Sequence, residues 1–349
     1  MSSALREREE QLLHLLFLWR CFGDGIAFIY QSKYSLKHTY YDEHYEVKAA
    51  AGFMTERGRL KRGFAREYRI LCAGIKHNVP VVLCDLTNIV RYGDVCALGA
   101  EDPLCIEVKT SRNLYARTER QIKLLQELAE FYENDGAPSF RGLHNVQREA
   151  TKTQELDHRA VLNECIEVGL RTGWSMATPE PGLTYLVLTA LDEAKLDQLI
   201  PGPWTVPYLL SAEPDFLPSY PFTLSMEPSN SVAFAQKAFA LVVVIDLKEL
   251  KAAFERRSVK AVMLMNGTHS VQISKIPNEF AGTWRISEQM LGRVATEFLS
   301  LEWFADEMSR TPDIEPRPPM SLEEAEALPG VVTSLPPGWT DAVDFWERG

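Results

Sequence analysis

Three side chains between positions 94 and 109 have the types and spacing of a metal-assisted phosphodiesterase. Asp94 is followed, after twelve residues, by the pattern Glu-x-Lys at Glu107 and Lys109. Two carboxylates can share one Mg²⁺, a hard cation that prefers oxygen ligands and that Mn²⁺ can replace. The metal would lower the pKa of a bound water, and Lys109 would hold that water and the phosphate as a compact positive charge. The spacing therefore indicates cleavage of a phosphodiester bond.

The elements that must position these residues are two short β-rich runs. Tyr92–Leu98 and Leu104–Ser111 flank a turn segment that begins with Gly and ends with Pro, so the pattern predicts a hairpin. Alternation along the second run predicts one face of Leu104, Ile106 and Val108 and another of Cys105, Glu107 and Lys109. Glu107 and Lys109 would lie about 7 Å apart on their face. Asp94 shares that face if the residue opposite it is Glu107 or Lys109.

Two alternatives remain open for this segment. An acid, a gap and Glu-x-Lys also occurs by chance, and the pattern then describes a hairpin with a Glu–Lys pair on its surface. Asp85, in the apolar run Val81–Val90, competes with Asp94 for the role of first carboxylate. We favour Asp94 because a predicted strand continues directly from it, which places it on the element that pairs with Glu107.

A strongly basic segment precedes the hairpin. Between Phe53 and His77 the pattern is compatible with an amphipathic helix, although two glycines weaken its first turns. Glu67 stands there among six cations: Arg57, Arg59, Lys61, Arg62, Arg66 and Arg69. Such a face is typical of a surface that follows a phosphate backbone, and also of an ordinary solvated helix. Glu67 could form a salt bridge with Arg62 or Arg66.

A second helix is predicted over Leu114–Asp135, after the hairpin. Its stripe begins at Gln121 and continues with Leu125, Leu128 and Tyr132. Arg117 and Arg120 lie in its first turns, where the helix dipole disfavours cations. A phosphate partner is one reason for cations at this end of a helix, so both arginines join the expected nucleic-acid-binding residues.

The arrangement of an acid, twelve residues and Glu-x-Lys resembles the PD-(D/E)xK nuclease superfamily, over about residues 53–135. One position departs from the family pattern, because Gly93 stands where the name-giving Pro would be. The resemblance implies an α/β fold with a restriction-endonuclease-like core, made of a helix, a mixed β-sheet with the motif hairpin, and a following helix. It also implies a Mg²⁺-dependent nuclease that acts on DNA, in bacterial or phage-related defence or in DNA processing.

The same resemblance assigns roles to individual residues. Asp94 and Glu107 would hold the metal, and Glu67 would reach it from the preceding helix. Lys109 would complete the catalytic group, and Gln121 would face the site from the following helix, although the stricter Gln-x-x-x-Tyr form is absent. A helix-capping or core-edge Gln121 is the alternative. For the whole domain, the alternative is a catalytically silent scaffold that binds nucleic acid or a partner protein.

The charge distribution separates two halves of the chain. The 349 residues have a net charge of −11, yet residues 1–150 carry 21 basic and 20 acidic side chains, and residues 151–349 carry 16 and 28. The half with the motif is therefore not repelled by a phosphate backbone, while the acidic half is. We expect a nuclease-like domain over 1–150, an α/β domain of unknown type over 151–310 and a Pro-rich acidic tail over 311–349. The acidic half could bind a partner protein or a second copy of the chain.

The remaining patterns indicate a cytoplasmic protein without a membrane span. A helix is predicted over Ala4–Cys21 and ended by Gly23, and its apolar run Leu12–Trp19 is too short to cross a membrane. The six cysteines form no Cys-x-x-Cys pair and indicate free thiols in a reducing compartment. Tyr34–His44 is predicted as a polar surface loop and Ile286–Met308 as one long helix.

Overall fold

The computed structural model of the protein describes residues 3–40, 63–108, 116–141, 143–190, 204–213, 220–274 and 283–310. They form a mixed α/β fold of helices and small antiparallel sheets, in agreement with the predicted class. The described residues before position 152 make one compact unit, joined by Glu213, and those from Lys152 onward make a second. The predicted tail over 311–349 lies outside the described residues.

The first unit begins with α1 (Ser3–Tyr30) and α2 (Lys33–Tyr40), and α3 (Phe64–Lys76) precedes its sheet. The sheet consists of β1 (Val81–Leu83), β2 (Val95–Ala97) and β3 (Leu104–Ile106), in that order. Helix α4 (Ala116–Asn134) follows, and then the hairpin of β4 (Gly136–Phe140) and β5 (Leu143–Gln147). The predicted hairpin and a helix on either side of it are confirmed over the described residues. The sheet was predicted as mixed, but its pairs among these residues are antiparallel.

Helix α1 continues through Gly23, where the sequence pattern predicts its end. The reason is close packing on the segment that follows β1. A Cβ atom on Gly23 would lie 1.8 Å from the backbone O of Leu86, so only a glycine allows this approach. One turn earlier, the Arg20 guanidinium donates a hydrogen bond to the backbone O of Asp85 at 3.1 Å. The glycine therefore marks a contact between helix and loop instead of a helix end.

Asp24 is buried on the same side of α1 and binds the next turn of that segment. Its carboxylate accepts hydrogen bonds from the backbone N of Asn88 at 2.7 Å, the side-chain amide of Asn88 at 2.8 Å and the backbone N of Ile89 at 3.1 Å. Beyond the helix end, the Gln31 amide donates to the backbone O of Leu98 at 3.1 Å and of Ala100 at 2.7 Å. Helix α1 and Gln31 just beyond it thus bind the segment 84–100 on both sides of Asp94.

The polar loop predicted over Tyr34–His44 is wrong in its described part, because α2 forms there and buries polar side chains. Thr39 Oγ1 donates to the backbone O of Ile89 at 2.9 Å. The His38 ring packs against the ring of Phe131 with 4.7 Å between centroids, and burial lowers the pKa of His38 to about 3. A neutral histidine behaves here as a core side chain, which its polarity in the sequence does not reveal.

The second unit is built around the antiparallel sheet β6-β7-β9-β8. Its strands are β6 (Trp174–Glu180), β7 (Leu183–Leu188), β8 (Thr205–Leu210) and β9 (Ala240–Asp246). A smaller antiparallel sheet contains β10 (Lys260–Met263), β11 (His269–Ser274) and β12 (Thr283–Ser287). The helices are α5 (Arg159–Thr172), α6 (Phe222–Ser225), α7 (Pro228–Ala235), α8 (Leu247–Glu255), α9 (Glu288–Thr296) and α10 (Leu301–Ser309). The nearly continuous burial of β7 and β9 makes these two strands the centre of the core.

The long helix predicted over Ile286–Met308 is wrong, because Ile286 lies in β12 and the remainder divides into α9 and α10. Phe298 has φ of +60°, which an α-helix cannot continue. Ser300 then begins α10, its hydroxyl accepting a hydrogen bond from the backbone N of Trp303 at 3.1 Å. The apolar periodicity runs across this break, so periodicity alone could not locate it.

Candidate active site

The register of the motif hairpin places Asp94 opposite Glu107. Val95 pairs with Ile106 and Cys96 with Cys105, and the same register continued by one residue sets Asp94 against Glu107. The backbones touch at this point, since Asp94 N donates to Ile106 O at 2.9 Å. Asp94 and Glu107 therefore lie on the same face of the hairpin, as the predicted site requires.

The Asp94 carboxylate also closes the open end of the hairpin. Its Oδ2 accepts a hydrogen bond from the backbone N of Val108 at 2.7 Å. This bond fixes the Asp94 carboxylate beside Val108, the residue after Glu107, at the point where β3 ends. Asp94 thus has a structural role in the hairpin, whatever it binds besides.

Gly93, directly before Asp94, has a physical reason to be glycine and not the proline of the pattern it resembles. Its φ is +71°, and a Cβ atom there would lie 2.7 Å from the backbone O of Ile106. Proline is restricted to φ near −65°, and other side chains would clash with β3. The close pass of the chain over β3 therefore requires glycine in this hairpin.

The burial pattern of β3 differs from the predicted alternation at Leu104 and Cys105, while Ile106 and Val108 are half-buried. Leu104, expected inside, keeps an exposed fraction of 58%. Cys105, expected outside, packs against the core around Leu128 of α4, and its Sγ lies 3.8 Å from that of Cys96. Side chains two residues apart share a face, so Glu107 continues the inward face just where the core ends. A thiol behaves as a small apolar group, which is why the alternation pattern misassigns this strand.

Glu67 on α3 interacts with the carboxylates of the motif. Partial burial raises the pKa of Glu67, and the charges of Asp94, Asp85 and Glu107 raise it further. Helix α3 packs against β1 and β2, which brings Glu67 near the acids that follow and precede these strands. The acids of the motif therefore interact electrostatically with Glu67, the helix carboxylate that the resemblance assigns to the metal site.

Asp85 and Asp94 both act electrostatically on Glu67, and the pairing of their strands brings the two acids to one end of the sheet. Strand β1 pairs with β2, and Cys84 N donates to Asp94 O at 2.9 Å, so Asp85 follows β1 next to the start of β2. Asp85 lies in a 3₁₀ turn, Cys84–Leu86, whose backbone is bonded to Arg20 of α1. Pairing of the two apolar runs 81–84 and 95–98 is the sequence signal that could have placed both acids at one end of the sheet.

These acids have the chemistry of a hard-cation site but not the spacing of a complete one. Carboxylate oxygens are preferred ligands of Mg²⁺, and a cation would relieve their mutual repulsion. Among the described residues, however, no three His, Cys, Asp or Glu side chains form a group that could hold a metal ion. A metal bound here would therefore have to draw the carboxylates of Asp94, Glu107 and Glu67 closer together.

The other predicted site residues are distributed around the hairpin or lie outside the described residues. Gln121 is half-buried in α4, the helix that packs against β3. Arg66 and Arg69 are exposed on α3, Arg120 is exposed on α4, and Arg117 lies in the first turn of α4. The predicted residues outside the described ranges are Arg57, Arg59, Lys61, Arg62 and Lys109.

The chain matches no protein-family model, no curated protein and no solved structure. A function must therefore be inferred from the residues of the chain itself. In the first unit they provide interacting carboxylates at one end of a small sheet, and exposed arginines on the two helices that border it.

Replacing Glu67 with glutamine is expected to stabilise the metal-free protein at neutral pH. Because the pKa of Glu67 is raised in the folded state, that state keeps its proton to higher pH than the unfolded chain does. Its contribution to the free energy of unfolding therefore falls as pH rises above the ordinary glutamate pKa of about 4.3. In urea unfolding between pH 4 and pH 8 without metal, the free energy of unfolding of Glu67→Gln should increase relative to that of the wild type as pH rises.

The matched control for this measurement is Glu130→Gln, which changes an exposed carboxylate on α4 and should follow the wild type. Added Mg²⁺ should remove the advantage of the Glu67→Gln variant, since a cation stabilises the ionised carboxylate. Parallel curves for the wild type and Glu67→Gln over this pH range would show that the neighbouring acids do not act on Glu67.

Proposed function

We propose that the first unit is a divalent-metal-dependent nuclease built on a restriction-endonuclease-like core, with DNA as substrate and Mg²⁺ as metal. The observation that carries the proposal is the hairpin register, which sets Asp94 opposite Glu107, and the charges of both also raise the pKa of the partly buried Glu67 on α3. Acids that repel one another raise the free energy of the folded state unless a cation joins them. Such an arrangement is typical of a functional site.

In this proposal Asp94, Glu107 and Glu67 hold Mg²⁺, which would neutralise charge on the phosphate and acidify a bound water. The bond from Val108 N orients the Asp94 carboxylate before substrate arrives. Lys109 follows Val108 directly and supplies a positive charge where negative charge develops on the phosphate. Gln121 supplies a hydrogen-bonding side chain from α4.

Exposed arginines support a nucleic-acid partner. Arg66 and Arg69 lie on α3, which packs against β1 and β2, and Arg120 lies on α4, which packs against β3. Both helices therefore border the sheet whose end carries the acids. Phosphates on either side of the cleaved bond would be bound by these guanidinium groups.

Cleavage assays on four substrates test the proposal: supercoiled plasmid, linear duplex DNA, single-stranded DNA and RNA, each with Mg²⁺, with Mn²⁺ and with EDTA. We expect cleavage of DNA with either metal and none in EDTA. A Glu107→Ala variant purified in the same way controls for a contaminating nuclease. A wild-type protein that cleaves none of the four substrates would reject the proposal.

A catalytically silent scaffold that binds nucleic acid is the second candidate, and two observations favour it. The Asp94 carboxylate already has a structural partner in Val108 N. Among the described residues, no metal-ligating trio is grouped. Under this alternative the protein binds DNA equally well in Mg²⁺ and in EDTA, and leaves it intact.

Replacing Arg66 and Arg69 together with alanine is expected to weaken DNA binding and flatten its salt dependence. Each phosphate contact contributes about 0.9 to the slope of log K against log salt, so the slope should fall by about 2. Fluorescence anisotropy of a labelled duplex in EDTA, over a series of salt concentrations, measures this without cleavage. The matched control replaces Arg171 and Lys248, exposed in the second unit, and should keep the wild-type slope. An unchanged slope in the Arg66 and Arg69 variant would mean that these are ordinary surface charges.

A further inference from the structure

One side of α1 is apolar and accessible to solvent along most of the helix. Its side chains keep exposed fractions of 45–63%, and the rings of Trp19 and Phe22 touch each other with 6.1 Å between centroids. The side chains that form this α1 stripe are Leu5, Leu12, Leu15, Trp19, Phe22, Ile26 and Ile29. A contiguous exposed apolar surface of this kind marks an interaction site.

The opposite side of α1 is already used by the first unit. Phe17, Arg20, Asp24 and Ala27 are buried on it, and Arg20 and Asp24 bind the segment after β1 through the bonds described above. Helix α1 therefore cannot rotate to bury the stripe without breaking these bonds. What covers the stripe must approach from outside the packed side of the helix.

The spacing of the stripe is that of a helix-to-helix contact. From Leu12 to Ile29 its members recur at alternating intervals of three and four residues, which are the a and d positions of a heptad repeat. Leu5 extends the a positions by one heptad, while Arg8 occupies the d position between Leu5 and Leu12. Such a seam is narrow and fits a second helix along its length.

A lipid membrane is the other surface that an apolar helix can bind, and Ala4–Tyr30 is long and apolar enough to cross one. Spanning would require removing Arg20 and Asp24 from their partners and placing both charges in lipid. Helices that lie on a membrane carry Lys and Arg beside their apolar face. Between Leu12 and Tyr30 the only such residue is the buried Arg20, and before Leu12 two arginines are offset by three glutamates.

We propose that the α1 stripe binds the same stripe of a second copy of this chain, with the two helices antiparallel. One register sets Leu12 against Ile29, Leu15 against Ile26 and Trp19 against Phe22, and the two-fold axis repeats each pair. With about half of each side chain accessible, the six paired residues offer about 600 Å² per copy, against the 800 Å² or so that each partner buries in a stable complex. A parallel pair would instead bring the two copies of Arg8 together in the seam.

Sedimentation velocity of the full chain tests the proposal. We expect a mass of two chains for the wild type at micromolar concentration, and a dissociation constant raised at least about thirtyfold by Trp19→Glu, since a central aromatic residue dominates an interface. Trp19 is 60% exposed, so the variant should fold, which circular dichroism checks. The matched control is Leu156→Glu in the second unit, where the leucine is 59% exposed, and it should leave the dimer intact.

Disulfide cross-linking tests the orientation of the two helices. A mixture of Leu12→Cys and Ile29→Cys proteins should form a covalent dimer, neither should do so alone, and the wild type shows the background from exposed Cys72. Self-linking of Leu12→Cys would overturn the antiparallel pair. A monomeric wild type, or a dimer insensitive to Trp19→Glu, would overturn the interface. The wild type could instead be monomeric and bind phosphatidylcholine and phosphatidylserine vesicles, with this binding lost in Trp19→Glu. That result would assign the stripe to lipid and would also overturn the dimer interface.

Discussion

Replacing Lys109 with alanine is expected to slow plasmid cleavage at least about a hundredfold while leaving the affinity for Mn²⁺ close to that of the wild type. A lysine ammonium is not a metal ligand, so the carboxylates that would bind the ion remain in place. The variant lacks the positive charge that would stabilise the phosphate in the transition state. Calorimetry with Mn²⁺ and cleavage rates on the same preparations separate the two effects.

The acids of the motif should behave differently from Lys109. Glu107→Ala is expected to lose both Mn²⁺ binding and cleavage. It should also raise the melting temperature of the metal-free protein slightly, because Glu107 is one of the charges acting on Glu67. Asp94→Asn is the sharper test of Asp94, since an amide oxygen can still accept the bond from Val108 N. It should lose cleavage but keep part of the Mn²⁺ affinity through Glu107 and Glu67.

The control for the lysine is Lys76→Ala, which removes an exposed ammonium from the last turn of α3 and should cleave like the wild type. A Lys109→Ala variant with wild-type cleavage would contradict the catalytic role. A wild type that binds no Mn²⁺ at millimolar concentration would contradict the metal site. Either result favours the silent scaffold.

Replacing Asp24 with alanine is expected to lower the free energy of unfolding of the first unit by about 3–5 kcal/mol, a large share of the stability of an ordinary domain. The change removes a buried acceptor from the backbone N of Asn88 and of Ile89 and from the Asn88 amide. Donors left buried without partners cost more than the bonds alone contribute. Hydrogen exchange of peptides covering 84–100, measured over a series of urea concentrations, reports the free energy of unfolding of the first unit separately from that of the second.

Two further variants sharpen that measurement. Asp24→Asn keeps an oxygen for the backbone amides but sets its own NH₂ against that of Asn88, so about 1–2 kcal/mol should be lost. Glu10→Ala changes an exposed acid on the same helix and should leave protection unchanged. Wild-type protection of residues 84–100 in Asp24→Ala would mean that other contacts hold this segment on α1.

The sequence predicts the motif hairpin and both flanking helices because their signals are local. A turn with glycine and proline separates two β-rich runs, and α4 carries its buried residues Leu128 and Tyr132 at helical spacing. For the candidate site, the local pattern limits the residue opposite Asp94 to Glu107 or Lys109 if the two share a face, and the register selects Glu107.

What the sequence does not reveal depends on partners distant along the chain. Gly23 ends a helix by local rules, yet it continues one here because Leu86, more than sixty residues away, packs against it. His38 and Thr39 are polar by composition and are buried because α4 and the segment after β1 supply their contacts. The same holds for Asp85, whose place beside Asp94 follows from the pairing of β1 with β2.

The attachment of α1 to the segment 84–100 decides how small this protein could be made. The candidate site residues all lie within about positions 53–135, so a fragment cut at those limits would contain every one of them. It would lack Arg20, Gly23, Asp24 and Gln31, which bind the chain on both sides of Asp94. The smallest fragment that keeps these contacts therefore begins at α1. A tag or fusion partner joined at the first residue would be attached next to a helix that holds the motif in place.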